Sequence, residues 1–259
     1  MKNLVKNSLG FDSNLFVYQD KTMFNYSIDT ILLGNFVRIN FQTKKILEIG
    51  TNNGALAIFL AHRYQKMQID ALEIQKNALK IAQKNVLLNH KNDQINLILG
   101  DFNDYYSTLF KQSFKYDSIV CNPPFYKLKS SIIRKGSQEL LIATHEIKLN
   151  LEQVIAGSSK IIKQRGYLSL VLPTERFIDA CTLMRQYDFE VKRVQFIHPR
   201  INKKSNLVLI EGRYKALWGP HFLPNIYLHP DDTSDGSYRE EVKQLYKPIV
   251  FDKYIKTKD

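Results

Sequence analysis

From residue 44 to about 190, short apolar runs alternate with segments of helical spacing, and this alternation limits the fold more than any other feature of the chain. "KKILEIG", "QIDALEI", "INLILGD", "YDSIVCN" and "YLSLVLP" are four to seven residues of mostly aliphatic character bounded by polar or turn residues, as buried strands are. Between them lie "ALAIFLAHRY", "NALKIAQKNVLLN", "LEQVIAGSSKIIKQ" and "TERFIDACTLMRQY". The second of these puts Ala78, Ile81, Ala82, Val86 and Leu87 on one face, the third is expected to end at Gly166, and the fourth to be capped by Thr174. Strand–helix alternation predicts a parallel, doubly wound α/β sheet. "EVKRVQFIHP" and "NLVLIEGRYK" follow each other as strands with no helix between, so an antiparallel hairpin is expected near the C-terminal edge of a mostly parallel, seven-stranded sheet.

There is no repeat and no low-complexity linker, so one domain over 1–259 is expected, with a core at 44–215. Before it, "YSIDTILLGNFV" has helical spacing, with Ser27 as cap and Ile28, Ile31, Leu32 and Phe36 on a shared face. After it, the 216–259 extension is polar and turn-rich. Hydrophobic residues make up 44% of the chain, enough to bury a core, but no run approaches the roughly 18 apolar residues of a membrane helix. The N-terminus lacks the apolar stretch of a secretory signal, and Cys121 and Cys181 match no metal spacing, so a reduced, cytoplasmic protein without a metal is expected. Net charge is +12, with 37 basic against 25 acidic residues, which points to a polyanionic partner.

Three strand ends carry chemistry in order. "LEIGTNNGAL" places Gly50 and Gly54 in a tight strand-to-helix turn, where the backbone can approach a ligand. Asn52 stands where a dinucleotide fingerprint has its second glycine, and no Gly-Lys-Ser/Thr follows, so a pyrophosphate is not expected. Glu73 at the second tip can accept the two hydroxyls of a ribose. Asp101 at the third can accept from an exocyclic amine, with Phe102 as an apolar wall. Ribose and adenine without phosphate fit S-adenosylmethionine.

The fourth tip is "CNPPFYK". An exocyclic amine is a poor nucleophile because its lone pair is delocalised into the ring. Acceptors on its two N–H groups free that lone pair, and Asn122 Oδ1 with the Pro123 carbonyl can supply them. Two prolines fix the geometry, and Phe125 or Tyr126 can stack on a flipped-out base. Cys121 is expected to be core packing, not a nucleophile. Two basic runs, Lys127, Lys129, Arg134, Lys135 and Lys192, Arg193, Arg200, Lys203, Lys204, Arg213, are candidates for phosphate contact.

Asn122-Pro123-Pro124-Phe125 resembles the Asp/Asn/Ser-Pro-Pro-Tyr/Phe motif of class I amino-methyltransferases. "NYSIDTILLGNF", "ILEIGTNNG", "ALEIQKNALKIAQKNVLLN", "GDF", "CNPPF", "ATHE", "FIHPRINKKSNLVLIEGRY" and "DGSYREEV" together resemble the bacterial tRNA adenine-N6-methyltransferases that act next to the anticodon of a valine tRNA, at position 37. The resemblance implies a Rossmann-like class I methyltransferase fold, S-adenosylmethionine as cofactor and tRNA as partner; no obligate protein partner is apparent in the sequence. The resemblance makes Asn122, Pro123, Pro124 and Phe125 catalytic. It places Glu48, Gly50, Asn52, Gly54, Glu73, Ile74, Asp101, Phe102 and Asn122 on the cofactor, with Tyr26, Ser27 and Asp29 in the 1–43 segment closing over its methionine end. Tyr126, Lys127, Lys129, Arg134, Lys135, Arg200, Lys203 and Lys204 would face nucleic acid. Two departures stand out: Asn52-Asn53 replaces a glycine of relatives, and "ATHE" has Thr144 where relatives carry Arg, while His145 and Glu146 fit a helix cap or a substrate contact. A protein glutamine N5-methyltransferase would use nearly the same motif. N6-adenine methylation of ribosomal RNA or DNA, or an RNA-binding module on an inactive scaffold, are the other readings.

Overall fold

The computed structural model describes residues 4–10, 13–23, 25–123 and 149–251. Pro124, Phe125, Tyr126, Lys127, Lys129, Arg134, Lys135 and the "ATHE" residues Thr144, His145 and Glu146 lie outside the described residues. An N-terminal hairpin, β1 (Leu4–Ser8) and β2 (Phe16–Asp20), is followed by helix α1 (Ile28–Phe36). The alternating core then runs β3 (Lys45–Ile49), α2 (Ala55–Arg63), β4 (Gln68–Glu73), α3 (Lys76–Leu88), β5 (Ile95–Leu99), α4 (Phe102–Lys111) and β6 (Tyr116–Cys121). After the undescribed segment come α5 (Leu151–Ile161), β7 (Ile162–Pro173), a short 3₁₀ turn (Thr174–Arg176), α6 (Phe177–Gln186), β8 (Phe189–His198) and β9 (Leu207–Tyr214). Two-residue strands β10 (His221–Phe222) and β11 (Ile226–Tyr227) and helix α7 (Glu240–Leu245) close the described chain.

The spatial order of the main sheet is β10-β8-β9-β7-β6-β3-β4-β5, with β11 also on β8. Strands β3 to β7 are mutually parallel, as the alternation predicts. The β8–β9 hairpin is present, with β9 antiparallel to both β7 and β8. It does not form the outer edge, because β10 and β11 add to β8. Two residues are too few for any periodicity to mark them. One sheet face buries Ile46, Ile69, Ala71 and Val120 against α1, α2 and α3. The other buries Leu47, Ile49, Leu72 and Cys121 against α5 and α6. Such two-sided burial is why these strands read as continuous apolar runs, not alternating ones.

Several local expectations shift. Helix α5 ends at Ile161 and not near Gly166, because the register of β7 against β6 already begins at Ile162↔Tyr116 and resumes at Tyr167↔Ser118 after a bulge. Gly166 is needed there for room: a Cβ would stand 2.9 Å from the Asp117 carbonyl. Thr174 is no helix cap; its hydroxyl pairs with Ser205 Oγ at 2.8 Å. Helix α1 is buried at Thr30, Ile31, Leu32, Leu33, Gly34 and Phe36, so it is a core helix and not an amphipathic one. On α3, Leu87 is exposed, and Asn85 takes its expected place on the buried face.

The strand order reverses between β3 and β6: β4 and β5 lie to one side, β7 to the other. In open α/β sheets the crevice at the carboxyl ends of such a pair is where ligands bind. Ile49 pairs with Cys121 at this point, so the residues after each, Gly50 and Asn122, leave the sheet side by side.

Candidate functional site

A cleft opens at that point, bordered by Tyr26, Thr30, residues 48–53, Ala55, Leu72 to Gln75, Gly100 to Phe102, Cys121 and Asn122; Gly54 of the expected cofactor residues does not border it. The space between its walls, counting the open solvent at its mouth, is about 970 Å³. Gly50 (φ 74°) and Gly54 (φ 81°) hold left-handed backbone, as the glycine turn requires. Asn52 is also left-handed, at φ 52°. Asparagine is the residue that tolerates this best after glycine, so Asn52 fills the departure from the glycine pattern without changing the turn. The N–H groups of Gly50 and Thr51 both donate to the Leu72 carbonyl at 2.9 Å. The turn therefore spends these amides on β4 and does not fan them toward a phosphate.

Glu73 sits buried at the β4 tip. Its Oε2 accepts the Asn52 N–H and its Oε1 the Gln75 N–H, each at 2.8 Å. Burial raises its pKa, and these amide bonds pull it back. A third amide, of Ile74, also bonds the carboxylate, which leaves it one further lone pair for a donor in the cleft. Glu48 lies deeper, where its Oε2 accepts the Thr51 hydroxyl at 2.7 Å. Burial, and secondarily the charge of Glu73, pushes its pKa up to about 7. Ile74 is a partly exposed apolar residue on the rim.

Asp101 caps α4: Oδ1 accepts the Asn103 N–H at 2.8 Å and its side-chain amide at 3.1 Å. Its other oxygen accepts nothing among the described residues, which leaves an acceptor at the cleft. Phe102 is buried against Tyr106, ring centroids 5.3 Å apart, and a Cβ on Gly157 would lie 2.6 Å from its ring. Asn122 borders the cleft with Oδ1 buried and without any hydrogen-bond partner among the described residues. Cys121 beneath it is buried, and burial holds its thiol far above the usual range, so it stays protonated and packs as expected. Of the "YSID" stretch only Tyr26 borders the cleft. It is fixed by donating N–H to Gln19 Oε1 at 3.0 Å and its hydroxyl to the Ser8 carbonyl at 2.7 Å. Ser27 and Asp29 do not border it; Asp29 bonds Ser27 and is raised by burial. Thr30, Asn53 and Gln75 reach the cleft without a sequence signal to mark them, and Asn53 Nδ2 and Gln75 Oε1 are buried there without partners among the described residues.

The second basic run divides. Lys203 and Lys204 are exposed in the β8–β9 turn, at the carboxyl end of β8 and hence at the same end of the sheet as Asn122. Arg200 instead holds the tail, donating to the carbonyls of Pro230, of Asp232 at 2.6 Å and of Asp235 at 2.7 Å. Arg193 is committed to Glu211 at 3.1 Å, Lys192 to the Trp218 carbonyl at 3.2 Å, and Arg213 stacks on Tyr167 at 5.1 Å. Among the described residues no group of three His, Cys, Asp or Glu side chains could hold a metal, and no helix is long and apolar enough to cross a membrane.

The cleft at the β3/β6 switch point offers a buried carboxylate, loop amides already bonded to β4, and a buried acceptor with no partner among the described residues, the set of groups expected for S-adenosylmethionine. This fold and site define a class I S-adenosylmethionine-dependent methyltransferase. The Methyltransferase small domain family matches residues 26–195. A tRNA1(Val) (adenine(37)-N6)-methyltransferase of Flavobacterium psychrophilum is 30% identical over 200 residues, covering 76% of this chain and 83% of the relative. The protein of the same name from Christiangramia forsetii is 31% identical over 238 residues, covering 92% and 94%. Among solved structures, a predicted O-methyltransferase of Agrobacterium tumefaciens superposes with a TM-score of 0.65 at 16% identity, over 86% of this chain and 97% of that one, which shows the shared fold. The chain belongs to the tRNA1(Val) (adenine(37)-N6)-methyltransferase family.

Proposed function

We propose that this protein methylates the exocyclic N6 amine of adenine 37 in a tRNA, with S-adenosylmethionine as methyl donor, in the cytoplasm. The observation that carries the reading is Asn122 Oδ1, buried at the cleft with no donor among the described residues. A buried acceptor left unpaired costs about 1–3 kcal/mol, so a ligand N–H group arriving there recovers energy the fold has forgone. An adenine amine brings such a group. Asn122 Oδ1 takes one of its hydrogens and the Pro123 carbonyl the other, which localises the nitrogen lone pair. When bound, S-adenosylmethionine supplies an electrophilic methyl carbon, whose bond to sulfur breaks as the bond to nitrogen forms. The extra proton on nitrogen then passes to solvent, so Asn122 acts as a preorganised acceptor and not as a base. Glu73 is assigned to the ribose, Asp101 to the adenine amine of the cofactor, and Tyr26 to the wall of the cleft. Pro124 locks the turn, and Phe125 or Tyr126 stacks on the flipped base. Lys127, Lys129, Arg134, Lys135, Lys203 and Lys204 meet phosphates, in keeping with the net charge of +12.

Incubation with radiolabelled S-adenosylmethionine and unmodified tRNA, followed by nucleoside mapping, tests the assignment. Label in N6-methyladenosine at position 37 is expected. Label absent from tRNA but present in a protein glutamine, ribosomal RNA or DNA would overturn it.

A further inference from the structure

Helix α3 turns residues 78, 81, 82, 85 and 86 inward. Four are apolar; the fifth is Asn85, fully buried. A buried primary amide is tolerated only when its donors and acceptor are used, and those of Asn85 are. Its Oδ1 accepts the Tyr18 N–H at 2.6 Å. Its Nδ2 donates to the Tyr18 carbonyl at 3.0 Å and to the Asn53 carbonyl at 2.8 Å. One turn on, Asn89 treats Phe16 the same way: Oδ1 accepts its N–H at 3.0 Å and Nδ2 donates to its carbonyl at 2.7 Å. The two amides, four residues apart on a helix, thus stand where a neighbouring strand would and pair with alternate residues of β2.

The two differ in the remaining bond. Asn89 returns its other hydrogen to the Asn85 carbonyl of its own helix, at 2.7 Å. Asn85 reaches the glycine loop of the cleft. Beside it Gly54 lies so close to α3 that a Cβ would meet that of Ala82 at 3.3 Å. Residue 19 of the same strand accepts the Tyr26 N–H, so the strand that Asn85 holds also sets Tyr26 on the cleft. We propose that Asn85 is a positioning residue for cofactor binding: through one amide it fixes the N-terminal hairpin and the glycine loop against each other. The inference rests on the S-adenosylmethionine reading of the cleft and says nothing of the methyl acceptor.

Asn85→Asp and Asn89→Asp separate this role from simple attachment of the hairpin. Each keeps its size and its acceptor and turns an oxygen toward the β2 carbonyl, but only Asn85→Asp also faces the glycine loop. Calorimetry on the full chain should show S-adenosylmethionine bound about tenfold more weakly by Asn85→Asp, the worth of a lost buried hydrogen bond. Asn89→Asp should stay within about twofold. In turnover, the KM for the cofactor should rise with kcat nearly unchanged. Equal weakening by both variants, or none by Asn85→Asp, overturns the proposal. A second measurement needs no variant. If hairpin and loop are coupled, the coupling is reciprocal, so saturating cofactor must slow amide exchange at Tyr18 more than at Phe16 in the wild-type chain. Unchanged protection at Tyr18 also overturns it. A wild-type chain that binds the cofactor yet leaves tRNA unmodified would sink the substrate reading alone.

Discussion

The backbone N–H of Asn52 donates to Oε2 of Glu73 across 2.8 Å, which ties the left-handed corner of the glycine loop to the tip of the next strand. The carboxylate therefore supports the loop and faces the cleft at once. Replacing it with alanine removes both functions, and a hydrogen bond to a charged group is worth about 1.5–3 kcal/mol. Glu73→Ala is expected to weaken S-adenosylmethionine binding roughly 10- to 100-fold by calorimetry. Glu73→Gln should fall almost as far, since its one oxygen can accept from only one of the Asn52 and Gln75 N–H groups and its amide nitrogen faces the other as a second donor. An affinity close to wild type in Glu73→Gln would show that the carboxylate does not serve the cofactor.

Asn122 predicts an uncommon separation of function from stability. Its Oδ1 has no partner to lose among the described residues, so Asn122→Ala deletes a buried orphan acceptor and forgoes no bond to Oδ1 from them. Denaturant midpoints should stay level or rise, as removal of an unsatisfied group relieves its desolvation cost. Methyl transfer, in contrast, should fall by about 10² to 10³ in kcat, the cost of deleting one preorganised electrostatic contact. Single-turnover rates beside urea melts of the two proteins check this. Substantial destabilisation would mean that Asn122 holds the turn and not the substrate.

The strand tips explain why the cleft was legible in the sequence. Glu73 and Asn122 end the apolar runs of β4 and β6, strands buried on both faces, and Asp101 follows the aliphatic run of edge strand β5, which is half-exposed but keeps its apolar character. What escaped depends on contacts far along the chain. Strand β2 pairs on one side with β1 and on the other with the amides of Asn85 and Asn89, some 67 and 73 residues away, so no local pattern announces it. Helical spacing favoured Leu87 over Asn85 because hydrophobicity cannot see a buried amide whose bonds are all made. Arg200 likewise looks like a phosphate contact until the tail folds back and offers its carbonyls.

Glu48 makes stability depend on pH. Its carboxyl titrates near 7 in the folded chain against an ordinary 4.5 because burial penalises its charge. Between those values the native state holds a proton that the unfolded chain has released, so stability falls as pH rises from about 4.5 to about 7 and then levels. The full effect is about 3 kcal/mol. Buried Glu73 and Glu211 are shifted in the same direction, so the test is a difference between two proteins. Glu48→Gln keeps an acceptor for the Thr51 hydroxyl and removes the titration. Its denaturant midpoint should decline less than that of the wild type between pH 5 and pH 8, with the two curves parting toward the alkaline side. Parallel curves would mean that Glu48 is ionised throughout.

Arg193 and Glu211 join the first helix to the β8–β9 hairpin, and their pairing predicts a strongly non-additive cycle. Glu211 is 0% exposed, with Arg193 Nε at 3.1 Å, Arg38 Nε at 3.7 Å and the Ser169 hydroxyl at 3.2 Å. The Arg193 guanidinium also lies 4.3 Å from the Phe36 ring centroid and donates to the Phe36 carbonyl at the end of α1. Removing only the cation leaves a buried carboxylate with Arg38, itself 42% exposed at the side chain, as its remaining charged partner. Arg193→Met is therefore expected to cost about 3–5 kcal/mol in urea unfolding. Adding Glu211→Gln removes the stranded charge, and the double variant should recover most of that loss, because a buried ion pair is worth little against neutral residues of similar volume. Additive losses in the double variant would instead assign each residue an independent packing role.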